Sequence, residues 1–224
     1  MNGKIVEFKT NGKMGSGYLS VPSTQKGKAV IVLQEWWGLV DHIKDVVDRF
    51  AEQGFVALAP DLYHGEVASS PTDAQKLAMA LDIANVEKDL RGAVDYLLSL
   101  VNTLGDTVGI VGFCMGGALS LYGACINEKI GACVVYYGIR NDVKNKIESL
   151  QAPVLGFFGE LDKGVNPERV KELDEDLTKA GKEHDFTIYP GANHAFFNDT
   201  RPAYHAEAAK ETWEKMMKFF NSNL

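Results

Sequence analysis

No stretch of this 224-residue chain supplies the roughly 18 consecutive apolar residues that a membrane span needs. Its start, Met1 to Thr10, alternates apolar with charged or polar groups, where a secretory leader would carry an apolar core. A cytoplasmic protein without a membrane partner is the expectation. Positive charge is scarce too. The 23 Lys and Arg residues against 30 Asp and Glu leave a net charge of −7, which repels phosphate backbones, and no basic run with interleaved aromatics offsets it. Nucleic acid is therefore excluded as a partner. Cysteine is equally sparse: Cys114, Cys125 and Cys133 are odd in number and form no CxxC pair suited to zinc or redox work. At least one is a free thiol, and Cys125 and Cys133 read as small core residues. His42, His64, His184 and His205 form no HExxH-like pair; they are assigned to the surface, and no metal is expected.

What is present is a globular composition, 46% hydrophobic and 24% charged. At this length about three quarters of the unfolded surface can be buried, so one domain over residues 1–224 needs no staple. Lys4 to Lys9 and Gly17 to Val21 suggest an opening hairpin, with Thr10 to Ser16 between them. Strand and helix then alternate. Ala29 to Leu33 is a continuous apolar run, as expected of a strand buried on both faces, and Phe55 to Ala59 reads as the next buried strand. Val108 to Phe113 is another short apolar strand, with further strands at Ala132 to Tyr136, Val154 to Phe158 and Phe186 to Tyr189. Helices are predicted from a cap at Asp41 to Gly54, and at 86–100, 118–126, 167–179 and 202–220, while the polar stretch Tyr63 to Asp73 reads as an insertion bordering a pocket. Such alternation predicts an α/β fold, with a mainly parallel central sheet of about seven to eight strands covered by helices on both faces.

The informative unit is Gly112-Phe113-Cys114-Met115-Gly116. This is the nucleophile-elbow pattern with cysteine in place of serine. Glycines flank the nucleophile because it sits on a cramped strand-to-helix turn, and the helix start behind it favours a thiolate. Asp162 follows the strand ending at Phe158, and His194 follows the strand ending at Tyr189. Nucleophile, acid, histidine is the chain order this elbow uses, and both partners fall just beyond strand ends, where open parallel sheets bind ligands. Glu160 is the competing acid, two residues closer to its strand.

These residues, together with Gly112 to Gly117 (GFCMGG), Gln34 to Gly38 (QEWWG), Pro60 to Tyr63 (PDLY) and the late GANHAF, resemble the dienelactone hydrolase, or carboxymethylenebutenolidase, family. The resemblance runs through nearly the whole chain. It implies an α/β-hydrolase fold, no cofactor, a small-molecule ester or lactone substrate, and the triad Cys114, Asp162 and His194. It further implies that Glu35 contacts the resting thiol and helps remove its proton, that the backbone N–H groups of Trp36 and Met115 form the oxyanion hole, and that Trp37 and Tyr137 lie on the substrate side. One departure stands out. The two arginines with which the family holds a substrate carboxylate are missing, since 66–76 contains none and Asn198 stands four residues after His194. Arg201 lies nearby in the chain as an alternative anion contact.

The expected reaction is attack of Cys114 on a carbonyl carbon and hydrolysis of the resulting thioester by water that His194 activates. A thiolate leaves more readily than an amine, so esters and lactones are favoured over amides. Two other readings stand beside this one: a cysteine amidase or amidotransferase-like enzyme, whose histidine usually precedes its acid, and a non-catalytic ligand-binding protein on the same fold. The chain leaves monomer against homodimer undecided.

Overall fold

The computed structural model describes residues 2–10 and 12–224, so Met1 and Asn11, the latter inside the expected hairpin turn, lie outside the described residues. The chain divides into two compact units, Met1–Ile110 and Val111–Leu224.

In the first unit β1 (Lys4–Thr10) and β2 (Lys13–Ser20) form the expected antiparallel hairpin, with Lys4 opposite Leu19. Strand β2 also pairs antiparallel with β4 (Val56–Pro60), which runs parallel to β3 (Gly27–Leu33). All of β4 and nearly all of β3 are buried, which is why both read as unbroken apolar runs. Helix α1 (Asp41–Glu52) buries Ile43, Val46, Val47 and Phe50 along one side. Its N-cap is Val40 and not Asp41; the Asp41 carboxylate stands in the first turn, where the helix dipole favours it. His42, expected at the surface, is buried on the same helix. Asp48 of α1 is buried as well, accepting hydrogen bonds from the Asn2 and Gly3 amides and the Tyr18 hydroxyl, and so ties the start of the chain down.

At the end of the expected insertion begins a helix with no counterpart among the expected ones, α2 (Pro71–Ala80), started by the Ser70 side chain accepting from the Asp73 amide. It buries only Ala74, so it leaves no apolar stripe to read. The long helix α3 (Ile83–Ser99) buries Val86, Leu90, Val94 and Leu97, as its periodicity predicts. Strand β5 (Thr103–Phe113) starts earlier than its apolar run because its first residues are polar or exposed.

The second unit contains α4 (Met115–Ile126), β6 (Ile130–Tyr136), a 3-10 segment Asn141–Ser149, β7 (Val154–Gly159), α5 (Pro167–Lys179), β8 (His184–Tyr189) and α6 (Ala206–Asn223). Strands β6, β7 and β8 pair in parallel, Cys133 against Val154 and Val154 against His184. Asn166 caps α5 by accepting from the Arg169 amide, with Pro167 at the first helical position. Helix α6 starts four residues later than its apolar pattern suggests, because residues 201–205 turn tightly and the His205 ring accepts from the Ala208 amide as its cap.

The strand order is β1-β2-β4-β3-β5-β6-β7-β8, an eight-stranded, mostly parallel sheet. Among the described residues no helix is long and apolar enough to cross a membrane.

Burial separates two substitutions cleanly. Phe50→Ala, at a fully buried ring, is expected to cost about 3–5 kcal/mol of unfolding free energy. Met79→Ala on α2, where the side chain is 80% exposed, should change it by less than about 0.5 kcal/mol. Urea unfolding of both variants beside the wild type measures the contrast.

Candidate active site

Strand β5 ends at Phe113 and α4 begins at Met115, so Cys114 alone makes the turn, with φ 57° and ψ −118°. A side chain in such a left-handed conformation typically costs about 1–3 kcal/mol and persists only where its surroundings hold it. They do. The Cys114 amide donates to the Tyr136 carbonyl at 3.0 Å, and the Cys114 carbonyl accepts from the Ala118 amide at 3.2 Å. Two neighbours must be glycine for the chain to pass: a Cβ on Gly112 would strike the Gly116 carbonyl, and one on Gly138 would strike the Cys114 carbonyl. The turn leaves Cys114 half-buried, whereas Cys125 and Cys133 are buried. Burial pushes the Cys125 thiol up to about 11 and raises that of Cys133 further, beside its contact with Ser120. Both are inert core residues, as their apolar setting suggests.

Asp162 sits on the loop after β7, only 2% exposed. One carboxylate oxygen accepts from the amides of Gly164 (2.8 Å) and Val165 (3.0 Å), and the other meets His194 Nδ1 at 2.6 Å. Burial alone would raise its pKa, but the His194 ring and the two amides outweigh that and hold the carboxyl below its ordinary value. His194 lies on the loop after β8, with its amide donating to the Asn193 side chain and its own side chain 38% exposed. Burial disfavours the imidazolium, yet the hydrogen bond to Asp162 and the interaction with the Cys114 side chain prevail and raise the ring to about 10. The buried Tyr137 ring and the imidazole meet edge to face, 5.2 Å between centroids, and Tyr137 holds a φ of 38°. Thus Cys114, Asp162, His194 and Tyr137 gather in the second unit.

The remaining expected residues fall out as follows. Met115 opens α4 directly after Cys114, which turns its N–H into the first turn of the helix. Glu160 does not bind the histidine ring; its carboxylate accepts from the Gly191 amide at 2.9 Å. Asn198 is buried and accepts from the amide and hydroxyl of Thr200, so it organises a turn, and the half-buried Arg201 donates its amide to the Asn198 carbonyl. In the first unit, Glu35 is only 2% exposed, which rules out a solvated loop carboxylate. It stands at the start of a turn closed by the Gly38 amide on the Glu35 carbonyl, and the half-buried rings of Trp36 and Trp37 at its centre meet edge to face at 5.3 Å. Tyr63 was not singled out as a site residue. It is buried, and its hydroxyl donates to the Trp36 carbonyl at 3.2 Å; its place in the PDLY phrase was the available signal. Among the described residues no group of three or more His, Cys, Asp or Glu could hold a metal ion.

The paired shifts set a pH dependence. The folded pKa of His194 lies above its unfolded value near 6.5, so its stabilising share is complete below about 6.5 and is lost as pH rises toward 10. Asp162 is shifted the other way, so its share is present above its unfolded value and is lost as pH falls through the folded one. Both shares describe the same bond. Urea unfolding between neutral pH and pH 10 is therefore expected to show a decline in stability that His194→Gln lacks.

Comparison with known proteins identifies the family. The pattern of the dienelactone hydrolase family matches residues 16–224. "Protein usf" of Aquifex pyrophilus is 36% identical over 230 aligned residues, covering 99% of both chains. A protein of Aquifex aeolicus provisionally named carboxymethylenebutenolidase is 34% identical over the same span, again covering 99% of each. The crystal structure of a provisionally named dienelactone hydrolase from Klebsiella pneumoniae superposes with a TM-score of 0.86 at 29% identity, covering 97% of this chain and 99% of that one. The chain therefore belongs to the dienelactone hydrolase family, on the α/β-hydrolase fold, and is a hydrolase of carboxylic esters or lactones.

Proposed function

We propose that the chain is a single catalytic domain that hydrolyses small esters or lactones through a thioester on Cys114. The observation that carries this reading is the 2.6 Å bond between His194 and a buried Asp162, made by the same imidazole that interacts with the Cys114 side chain. Asp162 accepts from Nδ1, so the other ring nitrogen is the one left to exchange a proton with sulfur.

The Cys114 proton passes to His194, and the sulfur attacks the carbonyl carbon, forming the C–S bond while the carbonyl electron pair moves onto oxygen. The N–H of Met115 at the start of α4 stabilises that oxyanion. Collapse expels the alkoxide or enolate, which takes the proton from His194. Water then attacks the thioester, gives its proton to the now neutral imidazole, and the C–S bond breaks to return the sulfur. Acylation removes the sulfur's contribution to the raised imidazole pKa, so more of the ring is in the neutral form that can accept a proton from water at the step that needs it. The family resemblance adds two roles: Glu35 helps deprotonate the resting thiol, and the Trp36 N–H is a second oxyanion donor. Trp37, Tyr137 and Arg201 are proposed substrate contacts.

Because Asn198 stands where the family places an arginine and its side chain is engaged by Thr200, the substrate needs no carboxylate. A cytoplasmic location goes with this reading.

With p-nitrophenyl acetate, Cys114→Ala is expected to lower kcat by about a thousandfold or more. Equal rates in both proteins would favour a binding protein without turnover. With an unsaturated lactone as substrate, removing its carboxylate should change kcat/KM by less than about tenfold, since a charge-assisted clamp would contribute more than that.

A further inference from the structure

Four hydrogen bonds join the loop that carries Asp162 to the loop that carries His194. The strands β7 and β8 pair in parallel up to Gly159 opposite Tyr189, and the joining continues past both strand ends. The Glu160 amide donates to the Tyr189 carbonyl at 3.1 Å, and the Leu161 amide to the Ala192 carbonyl at 2.9 Å. The Gly191 amide donates to a Glu160 carboxylate oxygen at 2.9 Å, and His194 Nδ1 meets Asp162 at 2.6 Å. Two of the four are backbone to backbone and tolerate any non-proline donor. One is the catalytic pair itself. The fourth is made by the Glu160 side chain, which links the two loops from outside that pair.

Its position gives it leverage. Glu160 precedes Asp162 by two residues and Gly191 precedes His194 by three, so the Glu160 contact closes one end of a small frame whose other end is the acid–histidine bond. Between them Ala192 is buried, and its carbonyl accepts from the Leu161 amide. With Gly191 released, the imidazole keeps its partner but loses one of the supports that fix its height and tilt above the sheet.

We propose that Glu160 is a positioning residue for His194, acting through the Gly191 amide. The inference rests on the reading of His194 as the base. Because Glu160 is exposed, substituting it leaves the core intact. The required property is an acceptor oxygen, which glutamine keeps and alanine lacks.

Two readouts test this: kcat and KM for p-nitrophenyl acetate, and the low-field proton resonance of His194 Nδ1–H in its bond to Asp162. Glu160→Ala is expected to lower kcat about fivefold to tenfold, the size of one hydrogen bond's effect, with KM unchanged within about twofold and the resonance shifted or broadened. Glu160→Gln should match the wild type in both. A wild-type resonance and kcat in Glu160→Ala would overturn the proposal, as would a glutamine variant as impaired as the alanine one. The resonance needs no turnover. If wild-type hydrolysis proves independent of Cys114 and His194, the functional reading fails, and the resonance in the two Glu160 variants still decides whether Glu160 orients the pair.

Discussion

The hydrogen bond between Asp162 and His194 is the interaction on which the proposed chemistry depends. A carboxylate so thoroughly removed from water is costly unless its lone pairs are met, and here the amides of Gly164 and Val165 and the imidazole meet them. The same arrangement keeps the acid ionised, fixes which ring nitrogen carries the proton, and favours the imidazolium while sulfur lies beside it. Separating the two loops would take the imidazole away from a buried charge. The two loops are also joined along their backbones beyond the end of β7.

The strained turn at Cys114 answers a second constraint. A sulfur within a regular strand or helix of the core would point into packed side chains, whereas the left-handed turn leaves Cys114 only half-buried. The strain is held by the Tyr136 carbonyl in front and Ala118 behind, and it is possible only because Gly112 and Gly138 leave room for neighbouring carbonyls. The inert Cys125 and Cys133 show the contrast within one chain: the same side chain, packed away from water, becomes harder to ionise.

Much of this was legible in the sequence, for physical reasons. Strands such as β3 and β4 are buried on both faces and leave unbroken apolar runs, and the elbow needs glycines at fixed spacing. The acid and the histidine follow strand ends, a placement that chain order alone reveals. What escaped the sequence reading lacked such marks. Helix α2 buries one residue and so has no periodicity to detect. His42 carries no signal that separates a buried ring from an exposed one, and the start of α6 was misplaced because the turn at residues 201–205 is set by hydrogen bonds to Phe196 and Asn198, distant from any cap motif. Glu160 and Asp162 share one loop, and spacing favoured Asp162 without saying what the other carboxylate does.

The central claim is that acyl transfer passes through Cys114, and it has a direct test. Wild-type protein is mixed with p-nitrophenyl acetate, quenched in acid within the first turnover, digested, and its peptides weighed. One acetyl group on the peptide carrying Cys114, gained in the burst and lost on further incubation, is the expected result. Steady hydrolysis with that peptide unmodified throughout, or with the acetyl group on another residue, would contradict it.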